Sequence, residues 1–277
     1  MKFNLQKECF HYLRKERKTA SSFRLMLGIY FRQKILRKFE VPYLEIFITT
    51  KCNLKCKSCS NIIPSLEDKC HYDISYIKES IEKLLDKIDC LYRLKIHGGE
   101  VFLHPQLCEI IQLLDGYSKI KSIRLTTNGT IVPSEKVLRC IAESKVVVQI
   151  SDYNVKNTKV NDLIDKLKIF GVKYVYLKEQ KWREMGGFDE REGNRFFECT
   201  VKRCTSFYEG KIYVCSRAAI MAKRKLTIDE GISISLDKRS FHKAVKEMYQ
   251  GDYCEACKYC DGDTKFAKEI IAGEQMR

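Results

Sequence analysis

Proline, tryptophan and long apolar runs are all scarce in this chain of 277 residues. With four prolines and one tryptophan, the composition excludes proline-rich linkers and collagen-like repeats. The longest uncharged apolar stretch near the N-terminus, residues 25–31, is far too short to span a bilayer, and no signal peptide is recognisable. We therefore expect a cytoplasmic protein with room for one large domain and one smaller domain.

Acidic residues are also in deficit, because 36 Asp and Glu face 51 Lys and Arg, for a net charge of +15. Residues 1–40 alone hold eleven Lys or Arg and three Glu, which gives +8. This balance suits an anionic partner, such as a phosphorylated or nucleotide-linked sugar, and also suits a solvated basic helix. The amphipathic helix predicted over residues 23–39 either lies on an anionic membrane surface or packs on the main domain.

Cysteine, in contrast, is abundant, with fourteen residues. In a cytoplasmic protein, clustered cysteines favour metal binding over disulfides. Cys52, Cys56 and Cys59, hereafter the triad, lie close together, and six more lie between residues 199 and 260. The five scattered cysteines are predicted to be packing residues: Cys9, Cys70, Cys90, Cys108 and Cys140.

Strands alternate with helices between residues 42 and 180. The predicted strands cover residues 43–48, 93–97, 122–127, 146–150 and 173–177. The predicted helices cover residues 74–88, 105–117, 134–143 and 161–170. This alternation predicts an α/β fold with a parallel sheet. After about Lys181 the pattern changes to loops, one clear helix near residues 241–249 and six cysteines, so a metal is expected to stabilise this part.

The triad directly follows the first predicted strand as Cys52-Asn-Leu-Lys-Cys56-Lys-Ser-Cys59. A loop at the C-terminal end of a parallel strand is where α/β folds place their sites. The Cys-x3-Cys-x2-Cys spacing presents three thiolates to a [4Fe-4S] cluster and leaves one iron without a protein ligand. A zinc site lacking its fourth ligand and a set of packing thiols are the alternatives.

This loop resembles the signature of the radical S-adenosylmethionine superfamily. The resemblance implies a partial (β/α) barrel, with S-adenosylmethionine bound to the open iron of the [4Fe-4S] cluster. It also implies a 5'-deoxyadenosyl radical that abstracts hydrogen from substrate, and a low-potential reductant such as flavodoxin or ferredoxin. The family usually has an aromatic residue before the third cysteine, whereas this chain has Ser58, which leaves the adenine contact unassigned.

Three further motifs close the next predicted strands and resemble cofactor contacts of the family. The Gly-Gly-Glu at residues 98–100 is similar to the motif that binds the amino group of S-adenosylmethionine. The Thr-Thr-Asn-Gly at residues 126–129 is similar to a Thr-Asn-Gly near the cofactor, and the Ser-Asp at residues 151–152 offers hydrogen bonds to ribose or carboxylate. The predicted cofactor-binding residues are Gly98, Gly99, Glu100, Thr126, Asn128, Ser151 and Asp152.

The six later cysteines resemble the auxiliary-cluster domain of the superfamily, of the SPASM or shorter twitch type. They are Cys199, Cys204, Cys215, Cys254, Cys257 and Cys260. One cubane takes four thiolates, so we expect one auxiliary [4Fe-4S] cluster. Its ligands are predicted to be Cys215, either Cys199 or Cys204, and two of the last three, with Cys257 and Cys260 favoured over Cys254. Gly210 fits a hairpin turn before Cys215, and a zinc site is the alternative.

A narrower resemblance to twitch-bearing aminocyclitol dehydrogenases, and to relatives from polysaccharide synthesis, rests on residues 151–153, 181–183 and 197–215. It implies oxidation of a sugar or cyclitol hydroxyl to a ketone, with Trp182 and Arg183 facing the substrate and Arg183 as an anion contact or base. The alternatives are a sugar epimerase, a peptide or protein maturase, and a non-catalytic iron–sulfur or zinc protein that binds nucleic acid. The motif at residues 98–100 argues against the last, so no nucleic acid is expected.

The predicted organisation has three parts. Residues 1–41 form a basic helical segment, residues 42–180 form the partial barrel, and residues 181–277 form a small cysteine-rich iron–sulfur domain.

Overall fold

The computed structural model describes residues 8–12, 22–186, 189–191, 195–202, 204–251, 253–262, 264–265 and 267–276. Within these ranges the strands are β1 (Glu40–Thr49), β2 (Cys90–Gly98), β3 (Ile123–Thr127), β4 (Val146–Asp152), β5 (Tyr174–Lys178), β6 (Lys181–Arg183), β7 (Ser206–Tyr208), β8 (Lys211–Tyr213), β9 (Ile232–Ser233) and β10 (Glu269–Ile271). The five strands predicted between residues 42 and 180 correspond to β1 to β5, with ends that differ by a few residues.

One eight-stranded sheet runs in the order β5-β4-β3-β2-β1-β7-β8-β9. The pairings from β5 across to β7 are all parallel, whereas β8 and β9 add antiparallel strands at the edge. β7 lies beside β1, with Glu45 opposite Ser206, so the chain after residue 181 contributes directly to the sheet. β6 and β10 form a separate antiparallel ribbon. The predicted α/β fold with a parallel sheet is confirmed.

Helices connect and cover the strands. They are α1 (Ser22–Tyr30), α2 (Ile74–Lys87), α3 (Leu107–Asp115), α4 (Glu135–Ala142), α5 (Val160–Ile169), α6 (Ser216–Lys223) and α7 (Lys238–Gln250). Side-chain caps fix several starts: Asp73 accepts from the backbone N–H of Ser75 before α2, and Ser134 accepts from Val137 before α4. The helix predicted over residues 23–39 is shorter, because α1 passes into a π-helical turn that ends at Ile35. α6 was not predicted.

The main core lies between the parallel strands and their helices. Leu44, Ile46 and Ile48 of β1 are buried against Leu94 and Ile96 of β2. The strand β4 begins with the apolar run Val146 to Val148, which is typical of a parallel strand covered on both sides. No helix in the described part of the chain is long and apolar enough to cross a membrane.

The scattered cysteines have three different environments. Cys9 and Cys90 are buried, as predicted for packing residues. Cys70 is exposed, so the packing prediction is wrong there because this residue lies in the loop between β1 and α2. Cys108 on α3 and Cys140 on α4 form a disulfide, with Cα atoms 5.7 Å apart. That pairing was not predicted, because only the packing of the two helices brings these residues together.

Candidate functional site

The triad lies in the loop after β1, at the carboxyl edge of the sheet. Residues 274–276 cross this loop, since the backbone N–H of Met276 donates to the carbonyl of Lys55 at 2.8 Å. The Gln275 amide donates to Cys56 Sγ at 3.3 Å, and its oxygen accepts from the backbone N–H of Lys55 at 2.7 Å. The segment therefore holds the loop from a distant part of the sequence, a contact that nothing in the motif predicted.

Burial keeps the triad thiols protonated in the absence of metal. It raises the pKa of Cys52 to about 12, and it also raises the pKa of Cys56 and Cys59. Iron binds the thiolate, so loading a cluster must release protons from this loop. Among the described residues, no group of three or more Cys, His, Asp or Glu side chains is arranged to hold a single metal ion. The case for a cluster rests on three soft sulfur donors at the spacing of a cubane site.

The two glycines at the end of β2 let that strand approach the triad loop. A Cβ on Gly98 would lie 1.9 Å from the carbonyl oxygen of Thr49, and one on Gly99 would lie 2.0 Å from that of Lys51. The Gly99 N–H donates to Thr49 O at 3.0 Å, and the Glu100 N–H donates to Lys51 O at 2.9 Å. Their small size therefore serves the close packing of β2 on the backbone of residues 49–51. Contact with a cofactor stays a prediction.

Glu100 joins the ends of β2 and β3 through a fully buried carboxylate. It accepts from Thr127 Oγ1 and from the backbone N–H of Asn128, both at 2.8 Å, and from the Phe102 N–H at 3.1 Å. Burial raises the pKa of Glu100, and these hydrogen bonds oppose that shift. The carboxylate is thus an internal brace of the site as well as a predicted cofactor contact.

The loop after β3 reaches back to the triad. Asn128 Nδ2 donates to Asn53 Oδ1 at 3.1 Å and lies 3.9 Å from Cys52 Sγ. Asn53 in turn donates to Thr130 Oγ1 at 2.7 Å. Thr126 Oγ1 is buried and has no hydrogen-bond partner in the described part of the chain. A buried hydroxyl without a partner costs about 1–3 kcal/mol, so Thr126 fits a position where a bound ligand supplies the missing bond.

Ser151 and Asp152, at the end of β4, already have protein partners. Ser151 Oγ donates to Glu179 Oε1 at 2.9 Å. The Asp152 carboxylate accepts from the Asn154 N–H at 2.9 Å and from the Tyr176 hydroxyl at 2.8 Å. Both residues lie at the carboxyl edge as predicted, and their roles toward a cofactor remain predictions.

A cavity of about 400 Å³ opens beside the triad loop. Ser58 lines it from the loop, and Glu179, Trp182 and Arg183 line it from the opposite side. Trp182 Nε1 donates to Glu179 Oε2 at 3.2 Å, while Arg183 donates to the carbonyl of Ala267 at 3.3 Å. Trp182 and Arg183, which were predicted to face a substrate, therefore border a cavity together with the Glu179 carboxylate.

A second cavity, of about 250 Å³, is lined by five of the six C-terminal cysteines. They are Cys199, Cys204, Cys215, Cys257 and Cys260. Ser60 and Met185 line both cavities, so the two spaces adjoin. The cysteine clusters that lie far apart in sequence are therefore brought to neighbouring cavities.

Comparison with known proteins gives a consistent result, although no family model matches the chain. It is 33% identical over 129 residues to the subtilosin biosynthesis protein AlbA of Bacillus subtilis, covering 45% of this chain and 27% of that protein. It is 30% identical over 148 residues to the GTP 3',8-cyclase of Aquifex aeolicus, covering 50% and 44%. The chain thus spans less than half the length of these curated relatives.

Among solved structures, BtrN in complex with AdoMet and 2-DOIA has a similar fold, with a TM-score of 0.54 at 18% identity. The match covers 83% of this chain and 97% of BtrN. In this chain the triad lies in the loop after β1, where the sequence signature predicts it. These similarities agree with the resemblance of the triad loop to the radical S-adenosylmethionine superfamily.

The six C-terminal cysteines, predicted to include the ligands of an auxiliary cluster, are not equivalent. Cys199 lies against Gly262, where a Cβ would be 3.4 Å from its sulfur. Cys215 begins α6, and its sulfur accepts from the backbone N–H of Ala218 at 3.4 Å. Cys254 is outside the cavity lining, and its thiol lowers the pKa of Cys257 by a hydrogen bond. The geometry therefore favours Cys257 over Cys254 as a ligand.

A buried charged cluster forms the wall opposite those cysteines, and sequence reasoning missed it. Lys95 Nζ lies 3.0 Å from Glu45 Oε1, and the Tyr43 hydroxyl donates to the same oxygen at 2.5 Å. His97 Nε2 lies 3.4 Å from Glu45 Oε2, and burial lowers the pKa of His97 to about 4, so the ring is neutral. Alternation of polar residues along β1 and β2 was the available signal, since residues 43, 45, 95 and 97 share the interior face.

Proposed function

We propose that this chain is a radical S-adenosylmethionine oxidoreductase that converts a sugar or cyclitol hydroxyl into a ketone. The observation that carries the proposal is the pair of adjoining cavities, one beside the triad and one lined by the C-terminal cysteines. A substrate at their junction, near Ser60 and Met185, would have a cluster on each side. BtrN supports this assignment, since its fold is similar and it was solved with AdoMet and 2-DOIA.

The cofactors would be held by the residues already described. The triad would bind one [4Fe-4S] cluster with an open iron for S-adenosylmethionine, close to the unpartnered hydroxyl of Thr126. Cys199, Cys215, Cys257 and Cys260 would bind the auxiliary [4Fe-4S] cluster, with Cys204 as the alternative to Cys199. When bound, these groups supply a hydrogen-abstracting 5'-deoxyadenosyl radical on one side of the substrate and an electron acceptor on the other.

The chain itself must take the hydroxyl proton. Forming the carbonyl removes one hydrogen atom from carbon, one proton from oxygen and one electron, so a base is needed beside the substrate. Arg183 is a poor proton acceptor because a guanidinium stays protonated in proteins. The Glu179 carboxylate lines the same cavity, so we assign it the role of proton acceptor. We assign Arg183 an electrostatic contact with the substrate oxygen.

The first cavity offers two cations and two carboxylates to a polar sugar-type substrate. Lys181 and Arg183 line it together with Glu179 and Glu269, and Lys181 also pairs with Glu269. A phosphorylated or nucleotide-linked sugar would compete for these cations. Electrons for the triad cluster would come from a separate low-potential protein such as flavodoxin or ferredoxin.

The test is anaerobic reconstitution followed by reaction with S-adenosylmethionine, dithionite and a panel of phosphorylated, nucleotide-linked and free sugars and cyclitols. We expect about eight irons per chain and equal amounts of 5'-deoxyadenosine and ketone with one class of substrate. Glu179→Gln should keep the iron and lose the ketone, whereas Glu143→Gln, an exposed control at the end of α4, should retain both. Absence of 5'-deoxyadenosine with every sugar would overturn the proposal.

A peptide-modifying enzyme is the second candidate, favoured by the 33% identity with AlbA over 129 residues. AlbA is named as a bacteriocin biosynthesis protein, and a peptide would also reach a site between two clusters. Incubation with peptides encoded beside the gene, followed by mass spectrometry, distinguishes the two. A loss of two hydrogens from a peptide, with no sugar oxidised, would favour this candidate.

A further inference from the structure

The helix α1 and its π-helical turn present an apolar stripe to solvent. The stripe consists of Phe23, Met26, Leu27, Tyr30, Phe31 and Ile35, whose exposed fractions run from 40% to 74%. These positions recur every three or four residues, so they lie on one face of the helix. Scattered exposed apolar residues are ordinary, but a continuous stripe of six large side chains marks an interaction surface.

The opposite face fixes the helix to the body of the protein. Leu25 and Ile29 are buried there in a cluster with Tyr92. Arg32 pairs with Glu40 at 2.5 Å and donates to the Tyr92 hydroxyl at 2.7 Å. Turning the stripe inward would break these contacts, so its exposure is built into the fold. The attachment lies at the start of β1 and β2, which is the edge of the sheet opposite the triad.

The charge of the segment that carries the stripe has a single sign. Between residues 22 and 39 there is no Asp or Glu. Arg24, Lys34 and Arg37 are exposed, while Lys38 pairs with Asp89 at 3.1 Å. A second copy of the chain would bring these cations against one another. An anionic lipid surface matches both features, because headgroups attract the cations while the acyl boundary takes up the apolar side chains.

We propose that α1 is an in-plane anchor that binds the protein to an anionic phospholipid surface. The stripe inserts at the level of the headgroups, and the basic residues contact lipid phosphates. Because α1 lies at the amino edge of the strands, the triad loop and both cavities stay on the side away from the bilayer and remain open to substrate and reductant. This placement holds whatever reaction the site performs.

The experiment is sedimentation of the full chain with iron loaded, using vesicles of phosphatidylglycerol and phosphatidylcholine against vesicles of phosphatidylcholine alone. We expect binding to the anionic vesicles, at least about tenfold weaker when salt rises from about 0.05 M to about 0.5 M, because screening shortens the reach of the cations. Binding to neutral vesicles should be weaker by a similar factor. Failure to bind anionic vesicles at low salt would overturn the proposal.

Two matched substitutions distinguish the contribution of the stripe to vesicle binding from the general effect of adding an acidic residue. Ile35→Asp removes an exposed residue of the stripe and should weaken vesicle binding at least about tenfold. Ile169→Asp changes an isoleucine on α5 that is 73% exposed, against 59% for Ile35, and should bind like the unchanged protein. Iron content and circular dichroism should be the same for both. Equal binding by both variants, or a dimer in solution that only Ile35→Asp dissociates, would contradict the lipid anchor.

Discussion

The two cysteine regions are built in different ways. The triad occupies one loop of eight residues, from Cys52 to Cys59, braced by backbone hydrogen bonds from the end of β2. The C-terminal set is collected from separate segments between Cys199 and Cys260 that meet only around a cavity. The first region is held largely by hydrogen bonds to the neighbouring strands of the sheet. The second region consists of several loop segments, and few of its cysteines lie next to a strand.

That difference predicts how each region depends on metal. Ordering several loops costs conformational entropy that a small core does not offset, and metal binding supplies the missing free energy. In the triad loop, part of the free energy needed to order the chain comes from the packing of Gly98 and Gly99 on the backbone of residues 49–51. We therefore expect the C-terminal region to lose its structure first when iron is removed.

The largest expected contrast is between cysteine substitutions in the two regions. Cys56→Ala should reduce 5'-deoxyadenosine formation to background, because the iron that binds S-adenosylmethionine is lost. Cys257→Ala should keep that reaction and lose the oxidised product, while each variant falls from about eight to about four irons per chain. Iron analysis and chromatography of the products measure this. Loss of 5'-deoxyadenosine in both variants would remove the functional distinction between the regions.

Chelation of iron provides the second contrast. Hydrogen exchange followed by mass spectrometry should show strong deprotection of residues 199–202 and 254–260 in the apo protein, with β1, β2 and the β7 strand that pairs with β1 still protected. Reloading iron should restore the protection. Equal deprotection of β1 would mean that the triad loop depends on metal as much as the C-terminal region does.

A smaller effect tests the backbone packing that braces the triad. Gly98→Ala would place a Cβ 1.9 Å from Thr49 O, so the free energy of unfolding should fall by about 3 kcal/mol or more. Gly171→Ala is the matched control, since that glycine also has a positive φ but has nothing within 4 Å of the added Cβ. It should cost only about 1–2 kcal/mol. Similar losses by denaturant unfolding would contradict the role of close packing.

The smallest effect concerns the segment that crosses the triad loop. Gln275→Leu removes the N–H that donates to Cys56 Sγ, and hydrogen bonds to cluster ligands raise reduction potentials. We expect the potential of the triad cluster to fall by roughly tens of millivolts, measured by a redox titration followed by electron paramagnetic resonance. Gln112→Leu, which removes a comparable contact with Cys140 Sγ, should leave the potential unchanged.

Much of the site was predictable because its signals are local. The triad has its spacing in eight consecutive residues, and the strands β1 to β5 are short segments rich in apolar residues that alternate with helical patterns. The position of each motif at a strand end followed from the alternation of strands and helices. Trp182 and Arg183 were placed near a substrate by resemblance, and they do border a cavity.

Other features required the folded chain. Glu179, the Glu45–Lys95 pair and Gln275 carry no motif, and they matter only because strands and termini distant in sequence bring them to the site. The sequence already favoured Cys257 over Cys254, and the structure adds that only Cys257 borders the cavity. The disulfide between Cys108 and Cys140 depends in the same way on the packing of α3 against α4.

The sequence by itself determined the chemistry of the first region: three thiols, their spacing and the strand that presents them are all local properties of the chain. The tertiary structure alone decided where that chemistry acts. Parallel pairing of β7 with β1 brings the C-terminal cysteines beside the triad loop, and packing of Leu25 and Ile29 turns the apolar stripe of α1 outward. Both outcomes depend on contacts between residues far apart in sequence. The free energy of such contacts cannot be read from a short sequence pattern.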